Sequence, residues 1–213
     1  MQNKLIISLV GLAVIIGLAG VFGIVQKRTQ DANTKSEQKN TTQLPVLQSD
    51  SLPSKSKKSM KLTSTAFTHE GSIPSKYTCD GNNTNPPFEF SDFPKGTQSL
   101  AFIMDDPDVP VSIHPDGMWD HWLIWNIPVT VKKIDEGKAP KGVIGKNTGG
   151  GLAYYGPCPP DSEHRYFFRV YALDTNLVLD PNATTKQLLL NTMQGHVLAQ
   201  AELMGKYKKI SSQ

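Results

Sequence analysis

The chain has 213 residues, which is enough for one domain of about 150 residues with appended segments. Its formal net charge is +3, but the charge is unevenly distributed. Residues 26–61 hold eight Lys and Arg against three Asp and Glu, whereas residues 62–213 hold 13 against 16, so the two parts carry +5 and −3. Because a slightly acidic folded part lacks the basic face that neutralises phosphates, the composition argues against a nucleic-acid-binding protein.

The first predicted element is an apolar segment at the N-terminus. Residues Leu5–Val25 carry no charge and are flanked by Lys4 and Lys27. The 21 residues are long enough to span a hydrocarbon core of about 30 Å as a helix, and they exceed the apolar region of a signal peptide, which has about 7 to 15 residues. Since neither an Ala-x-Ala cleavage site nor a lipoprotein cysteine follows, we expect residues 1–25 to form an uncleaved, single-pass transmembrane anchor.

Residues 26–59 are predicted to form a disordered basic linker. They consist mainly of Gln, Asn, Ser, Thr and Lys, which cannot bury enough apolar surface to offset the entropy of ordering. Their lysines have two interpretations, plain solvation and attraction to anionic lipid headgroups. Lys4 favours a cytoplasmic N-terminus, whereas Lys27 and Arg28 favour the opposite orientation. We expect the domain that follows to lie outside the cytoplasm.

Residues 60–213 are predicted to form one mainly β domain. Short apolar segments rich in β-branched and aromatic residues alternate with turns that contain Gly or Pro. Strands are expected at 88–90, 99–104, 121–127, 132–134 and 165–173. Many short strands of this kind are typical of a β-sandwich or a barrel.

A C-terminal helix is predicted over residues 185–204. Apolar residues recur there at helical spacing: Leu188, Leu189, Met193, Val197, Leu198, Ala201 and Met204. Thr184 or Thr185 can cap its N-terminus, and Gly205 stands where a glycine would end it. His196 falls within this helix, and we interpret it as a structural or surface residue.

Polar residues that could form a binding site lie at the ends of the predicted strands. Asp106 precedes Pro107, which favours extended backbone and so fixes the direction of the carboxylate. His121 and His164 each begin a buried strand, and Tyr166 shares a face with His164 because alternate residues of a strand point the same way. Together these groups can donate several hydrogen bonds to an anion, so we expect a phosphate-like ligand.

Other interpretations of this cluster stay open. Two histidines and an aspartate are suitable metal ligands, but their spacing is unlike that of a zinc signature. Asp and His could act as base and orienter with Cys158 as nucleophile, although Pro157 and Pro159 have no N–H groups for an oxyanion hole. The histidines could also simply satisfy buried polar groups.

Three segments resemble the phosphatidylethanolamine-binding protein family, also called Raf kinase inhibitor-like proteins, and its bacterial and archaeal YbhB/YbcL-type branch. They are DPDVP at 106–110, DHWLIWNIP at 120–128, and GPCPP followed by HRY within 156–166. Residues 73–81 and 171–174 also resemble that branch. The similarity covers about residues 61–209.

The resemblance implies a sandwich of two antiparallel sheets with peripheral helices and a small anion pocket. The implied ligand-binding residues are Asp106, His121, His164 and Tyr166, with Pro107, Asp108, Gly156, Pro157 and Pro159 in the wall. Trp119 and Trp122 either line the mouth or fill the core. The family commonly has a glycine at the position of Ser162. If that glycine needs a positive φ, the loop differs here, and Glu163 would add a negative charge beside the anion.

Cys79 and Cys158 fall in loops that the resemblance brings to the same end of the domain. A disulfide between them is expected if the domain lies outside the cytoplasm, and the alternative is two reduced, packed thiols.

The expected function is non-catalytic binding of a phosphate-bearing ligand or phospholipid headgroup, without a metal or cofactor. The alternatives are a protein-interaction module that inhibits a kinase or protease and, less favoured, a hydrolase. If imidazolium groups hold the anion, its binding should weaken as the pH rises through about 6 to 8.

Overall fold

The computed structural model describes residues 59–210. The predicted anchor at 1–25 and all but the last residue of the predicted linker at 26–59 lie outside the described residues. Within residues 59–210, no helix has the length and apolar character needed to cross a membrane.

In the described part of the chain, eight strands form two antiparallel sheets, as predicted. The smaller sheet has the order β1-β2-β5, with β1 at Lys61–Thr63, β2 at Phe88–Ser91 and β5 at Lys133–Ile134. The larger sheet has the order β6-β4-β3-β7-β8. Its strands are β3 (Ser99–Asp106), β4 (Trp119–Pro128), β6 (Val143–Gly145), β7 (His164–Leu173) and β8 (Val197–Tyr207). Beside the sheets lie a 3-10 turn at Ser75–Tyr77 and helix α1 at Lys186–Met193.

The main hydrophobic core lies between the two sheets. Phe88 of β2 packs against Phe102 of β3 and Phe168 of β7, with ring centroids 5.1 and 4.9 Å apart. All three side chains are fully buried, and full burial of such a side chain stabilises the fold by about 1.5–3 kcal/mol.

A second apolar cluster covers the opposite face of the larger sheet. Leu189 and Met193 of α1 pack there with Ile103, Leu123 and Trp125. Because β3 is covered on both faces, all eight of its residues are buried. This explains why residues 100–104 of β3 are a continuous apolar run rather than an alternating one.

The predicted helix over 185–204 is correct only in its first half. Thr185 caps α1 by accepting a hydrogen bond from the Leu188 N–H at 3.2 Å, but α1 ends at Met193 and the chain turns at Gly195, whose φ is +84°. The turn also contains His196, which is exposed and bonds Asp174.

Residues Val197–Tyr207 form β8 instead, because the exposed edge of β7 offers backbone partners along its whole length. Residues 199, 201 and 203 of β8 are apolar and pack against the main core, as expected of alternate residues in a strand. This period of two is not evident in the sequence, because other residues of the segment are also apolar. Gly205 lies inside β8, where a Cβ would come within 2.6 Å of the Ile73 Cγ1. Gly205 thus allows β8 to pack closely against Ile73, and it does not end a helix.

Candidate functional site

A β-bulge in β4 determines where His121 points. Met104 of β3 pairs with Trp122 and Asp105 pairs with Asp120, so His121 has no partner on β3. Trp122 faces the core between the sheets, and strict alternation would therefore turn His121 toward α1. The extra residue turns it toward the core side instead, which is a common use of bulges beside binding sites.

His121 opens onto a cavity of about 220 Å³. The other lining residues are Asp106, Val109, Ile113, Trp119, Tyr155, Cys158 and Pro160. Of the two tryptophans considered from the sequence, Trp119 lines this cavity and Trp122 fills the core. Aromatic and apolar side chains thus surround one carboxylate and one imidazole.

Asp106 and His164 form a buried pair beside the cavity. The His164 Nδ1 lies 2.8 Å from the Asp106 Oδ2, and the His164 Nε2 lies 2.9 Å from the Asp161 Oδ1. Burial by itself lowers the pKa of His164, but the hydrogen bonds with Asp106 and Asp161 outweigh it and the net shift is upward. Both His164 nitrogens are therefore occupied by carboxylate oxygens, which favour the imidazolium form of the ring.

The Asp106 carboxylate is also satisfied on its second oxygen, because the Asp108 N–H donates to Oδ1 at 2.8 Å. Burial raises the pKa of Asp106, and the hydrogen bond from His164 opposes that shift only in part.

His121 is in a different electrostatic state. Its Nδ1 lies 2.6 Å from the Tyr155 carbonyl oxygen, and its Nε2 is buried with no hydrogen-bond partner among the described residues. Burial lowers the pKa of His121 to about 4 despite that hydrogen bond. The ring is consequently neutral at pH 7.

Tyr166 lies behind His121, with their rings in an edge-to-face arrangement and their centroids 5.3 Å apart. Its hydroxyl is buried and has no partner of normal hydrogen-bond geometry within residues 59–210. Burial, followed by the nearby Asp106 carboxylate, raises the pKa of Tyr166. The phenol therefore stays protonated beside the Asp106 carboxylate.

Asp108 does not line the cavity but anchors β7 to the loop after β3. Arg165 donates to it from Nε at 2.9 Å, from Nη2 at 2.6 Å and from its backbone N–H at 2.9 Å. The hydrogen bond from Arg165 lowers the pKa of Asp108. Pro107, half-buried between Asp106 and Asp108, is likewise not a lining residue.

The 156–160 loop is tied to the segment after the 3-10 turn. The Gly156 N–H donates to the Asn83 Oδ1 at 2.7 Å, and the Pro157 carbonyl accepts from the Cys79 N–H at 3.0 Å. Cys79 and Cys158 are joined by a disulfide, with their Cα atoms 5.3 Å apart. Gly156, Pro157 and Pro159 are buried and do not line the cavity, whereas Cys158 and Pro160 do.

Two participants were not predicted from the sequence. Tyr155 supplies the carbonyl that orients His121, and Asp161 supplies the second carboxylate on His164. The available signal for Asp161 was its position three residues before His164. Glu163, which the sequence places beside the anion, is exposed and does not line the cavity. Ser162 is not among the described residues with positive φ.

The site is not strongly basic. Asp106, Asp108 and Asp161 contribute three negative charges, and His164 and Arg165 contribute two positive ones, which leaves a formal charge of −1. Within the described part of the chain, no group of three or more His, Cys, Asp or Glu side chains could hold a metal ion. Among the described residues that line the cavity, His121 and Trp119 each have a buried polar atom, Nε2 and Nε1, without a hydrogen-bond partner.

A single protein-family match covers all the residues of the candidate site. A family model described as phosphatidylethanolamine-binding protein matches residues 63–208. A UPF0098 protein of Chlamydia trachomatis is 47% identical over 150 residues, which cover 70% of this chain and 99% of the relative. A UPF0098 protein of Methanothermobacter thermautotrophicus is 47% identical over 156 residues, with the same coverage of 70% and 99%.

Solved structures show the same similarity. A Chlamydia trachomatis structure described as a phosphatidylethanolamine-binding protein homologue aligns with a TM-score of 0.69 at 47% identity, covering 71% of this chain and 99% of that one. E. coli YbcL, described as a member of the mammalian family, aligns with a TM-score of 0.64 at 30% identity, again covering 71% and 99%.

Proposed function

The chain belongs to the phosphatidylethanolamine-binding protein family, and from that premise we propose that its domain binds a phosphoryl group in the cavity at Asp106 and His121, without catalysis. The ligand would be a small phosphate compound or a phospholipid headgroup. One observation carries this proposal: the His121 Nε2 and the Trp119 Nε1, both on residues that line the cavity, are buried without hydrogen-bond partners among the described residues. Leaving such a group unsatisfied costs about 1–3 kcal/mol, and a polar ligand would recover part of that cost.

The surroundings of these two atoms suit a phosphate ester. His164 supplies a positive charge beside Asp106. Trp119 and Tyr155, with ring centroids 6.1 Å apart, form an aromatic wall that an organic substituent can contact.

Two features support binding rather than turnover. Cys158 is held in a disulfide and so provides no thiolate nucleophile. His121 is oriented by a backbone carbonyl rather than by a carboxylate, so it lacks the partner that stabilises the imidazolium of a catalytic triad.

Calorimetric titration of the full-length chain with inorganic phosphate tests the proposal. We expect saturable binding at one site, weakened about tenfold or more in Tyr166→Phe because a buried donor is removed. Tyr171→Phe is the matched control, since Tyr171 lies on the same strand but in the cluster under α1. A folded wild-type chain that does not bind phosphate would contradict the proposal.

We also propose that Leu5–Val25 anchors the protein in a membrane with its domain outside the cytoplasm. The uncharged length of the segment supports the anchor, and the Cys79–Cys158 disulfide supports an oxidising compartment. Fractionation with an alkaline wash, followed by protease treatment of intact cells, tests both parts. Release by the wash would contradict the anchor, and full protection from protease would contradict the orientation.

A protein-interaction function, such as inhibition of a kinase or protease, is the second candidate. The observation that favours it is that Val111 and Ile113, on the loop beside the cavity, are 71% and 51% exposed. A partner that binds this loop should be lost in Val111→Lys, while phosphate binding is retained. Equal recovery of the partner with the variant would contradict this surface.

A further inference from the structure

The disulfide of the domain has one exposed and one half-buried residue. Cys79 is exposed to solvent, whereas Cys158 is half-buried and belongs to the lining of the cavity. A thiolate exchanges with a disulfide only where it can reach one of the two sulfur atoms, and exposed disulfides are more labile than buried ones. Cys79 is therefore the residue at which a thiol in solution can attack this bond.

A groove of about 250 Å³ lies beside the disulfide. Pro159, which follows Cys158 in the chain, lines one side of it. Ile210 also lines the groove, and its N–H donates to the carboxylate of Asp80, the residue after Cys79, at 2.8 Å. The groove is thus held next to the chain neighbour of each cysteine.

The groove offers positive charge to a ligand. Lys208 and Lys209 line it, and both are exposed. The two carboxylates nearby already accept hydrogen bonds, Asp161 from the His164 ring and Asp80 from the Ile210 N–H. The two ammonium groups remain available to attract an anionic group, although water and salt weaken the attraction at an exposed site.

Hydrogen bonds join the two cysteine-bearing loops independently of the sulfur atoms. The Cys79 N–H donates to the Pro157 carbonyl at 3.0 Å, and the Gly156 N–H donates to the Asn83 Oδ1 at 2.7 Å. Because these bonds do not depend on the disulfide, we expect the loops to stay adjacent when it is opened. The disulfide can then form again without refolding of the domain.

We propose that the Cys79–Cys158 disulfide is a thiol–disulfide exchange site for small thiols that carry a carboxylate, which Lys208 and Lys209 attract to the groove. The thiolate attacks the Cys79 Sγ and forms a mixed disulfide, while the bond to Cys158 breaks and Cys158 leaves as a thiolate that takes a proton from water. A second thiolate attacks the sulfur of the small thiol in this adduct and releases the Cys79 thiolate. The protein gains two electrons, and the two small thiols leave as their own disulfide. The exchange requires no ligand in the cavity, so its test is independent of phosphoryl binding.

Two alkyl thiols that differ in charge, mercaptopropionate and mercaptoethanol, test the proposal on the full-length chain. Acid-quenched samples are analysed by mass spectrometry for the reduced protein and for the adduct. Each rate is divided by the rate of the same thiol with the disulfide of mercaptoethanol, which removes the intrinsic difference between the two nucleophiles. On this scale we expect mercaptopropionate to react about threefold faster or more, with its adduct on Cys79.

A charge variant tests the role of the groove. Lys208→Gln/Lys209→Gln should abolish the preference for mercaptopropionate. Lys95→Gln/Lys132→Gln is the matched control, because it removes two exposed charges that do not line the groove and should retain the preference. Salt at about 0.5 M should also reduce the preference of the wild type, since it screens exposed charges.

Urea distinguishes exchange in the folded chain from reduction that requires unfolding. Below the unfolding transition, the rate of reduction should not rise with urea, because direct attack at Cys79 exposes no new surface. The reduced chain should keep its circular dichroism spectrum and recover the disulfide when the disulfide of mercaptoethanol is added.

Three results would overturn the inference. Reduction that accelerates with urea in step with unfolding would show that the disulfide is purely structural. Equal relative rates for the two thiols would show that the groove does not attract the carboxylate. A first adduct on Cys158 would show that the thiol attacks from the cavity.

Discussion

Neighbouring residues where β3 pairs with β4 belong to two different side-chain clusters, one that contacts α1 and one that lines the cavity. Asp105 and Asp120 face α1, whereas Asp106 and His121 face the cavity. On the α1 side, Asp105 accepts from the Arg169 Nη1 at 2.8 and 2.9 Å. On the cavity side, the His121 Nε2 has no partner among the described residues.

Lys186 completes the α1-side cluster. Its ammonium is 3.0 Å from the Asp105 Oδ2 and 2.9 Å from the Asp120 Oδ1, the latter as an ion pair without hydrogen-bond alignment. Each carboxylate there has a cation, which is the arrangement expected of a structural connection between α1 and the sheet. The comparison shows that the His121 Nε2, which has neither a hydrogen bond nor an ion pair among the described residues, distinguishes the candidate site from the structural cluster.

The largest expected effect is on the structural cluster. Lys186→Met leaves Asp105 and Asp120 without their shared cation, and we expect a loss of about 3 kcal/mol in the free energy of unfolding, measured by urea denaturation. Phosphate affinity should not change. Lys133→Met, which breaks the exposed pair with Asp135, is the control and should have no measurable effect. Equal stability of both variants would remove the distinction between the clusters.

The next effect concerns the cavity-side histidine and pH. The folded-state pKa of His121, about 4, lies below its ordinary value of 6.5, so the unfolded chain takes up this proton first as the pH falls. Stability from His121 is therefore complete above about pH 6.5 and is lost toward pH 4, a change of about 3 kcal/mol.

Comparison of urea denaturation of the wild type with that of His121→Gln isolates this contribution from those of Asp106 and His164. The wild type should lose more stability than the variant between about pH 6.5 and 4.5. Parallel curves would mean that His121 is not held in the neutral form.

A smaller effect is expected at Asp161. Its carboxylate occupies the His164 Nε2 and adds a negative charge beside the cavity. Asp161→Asn should tighten phosphate binding by about three- to tenfold in calorimetry, because one repulsive charge is removed. Glu163 is also exposed and outside the cavity lining, but only Asp161 bonds the His164 ring, so Glu163→Gln should have less effect. Equal effects of the two variants would indicate a general change of charge rather than a role for Asp161.

The smallest effect compares the half-buried Tyr154 with the buried Tyr166. The Tyr154 hydroxyl donates to the Tyr77 carbonyl at 2.8 Å, whereas the Tyr166 hydroxyl has no partner of normal hydrogen-bond geometry within residues 59–210. Tyr154→Phe should cost about 1 kcal/mol, and Tyr166→Phe should leave stability unchanged or raise it slightly. Thermal and urea unfolding measure the difference. A similar loss in both variants would show that Tyr166 is satisfied in the folded chain.

Three strands of the larger sheet could be predicted because a buried strand appears in the sequence as a run of apolar residues. The apolar runs at 99–104, 121–127 and 165–173 all lie within observed strands. The sequence predicts a helix over 197–204 because the spacing of the apolar residues fits the helical period as well as the strand period of two. Only the unpaired edge of β7, a tertiary feature, decides in favour of a strand.

The candidate site was predictable to a similar degree. Asp106 and His121 could be proposed from their positions at strand ends, and the structure places both on the cavity. The protonation states could not be predicted, because they depend on the bulge that turns His121 and on the carbonyl of Tyr155. The role of Asp161 likewise depends on the conformation of the loop before β7, which its spacing of three residues from His164 does not specify by itself.

The proposed site depends most directly on His121, a neutral ring whose Nε2 would accept a hydrogen bond from the ligand. Nitrogen-15 NMR of the histidine side chains, assigned by loss of the His121 signals in His121→Gln, tests it directly. We expect a proton on Nδ1 alone at pH 7, with and without phosphate, and a shift of the Nε2 resonance as phosphate saturates the site. An imidazolium at pH 7, a proton on Nε2, or an Nε2 resonance unmoved by saturating phosphate would contradict the account.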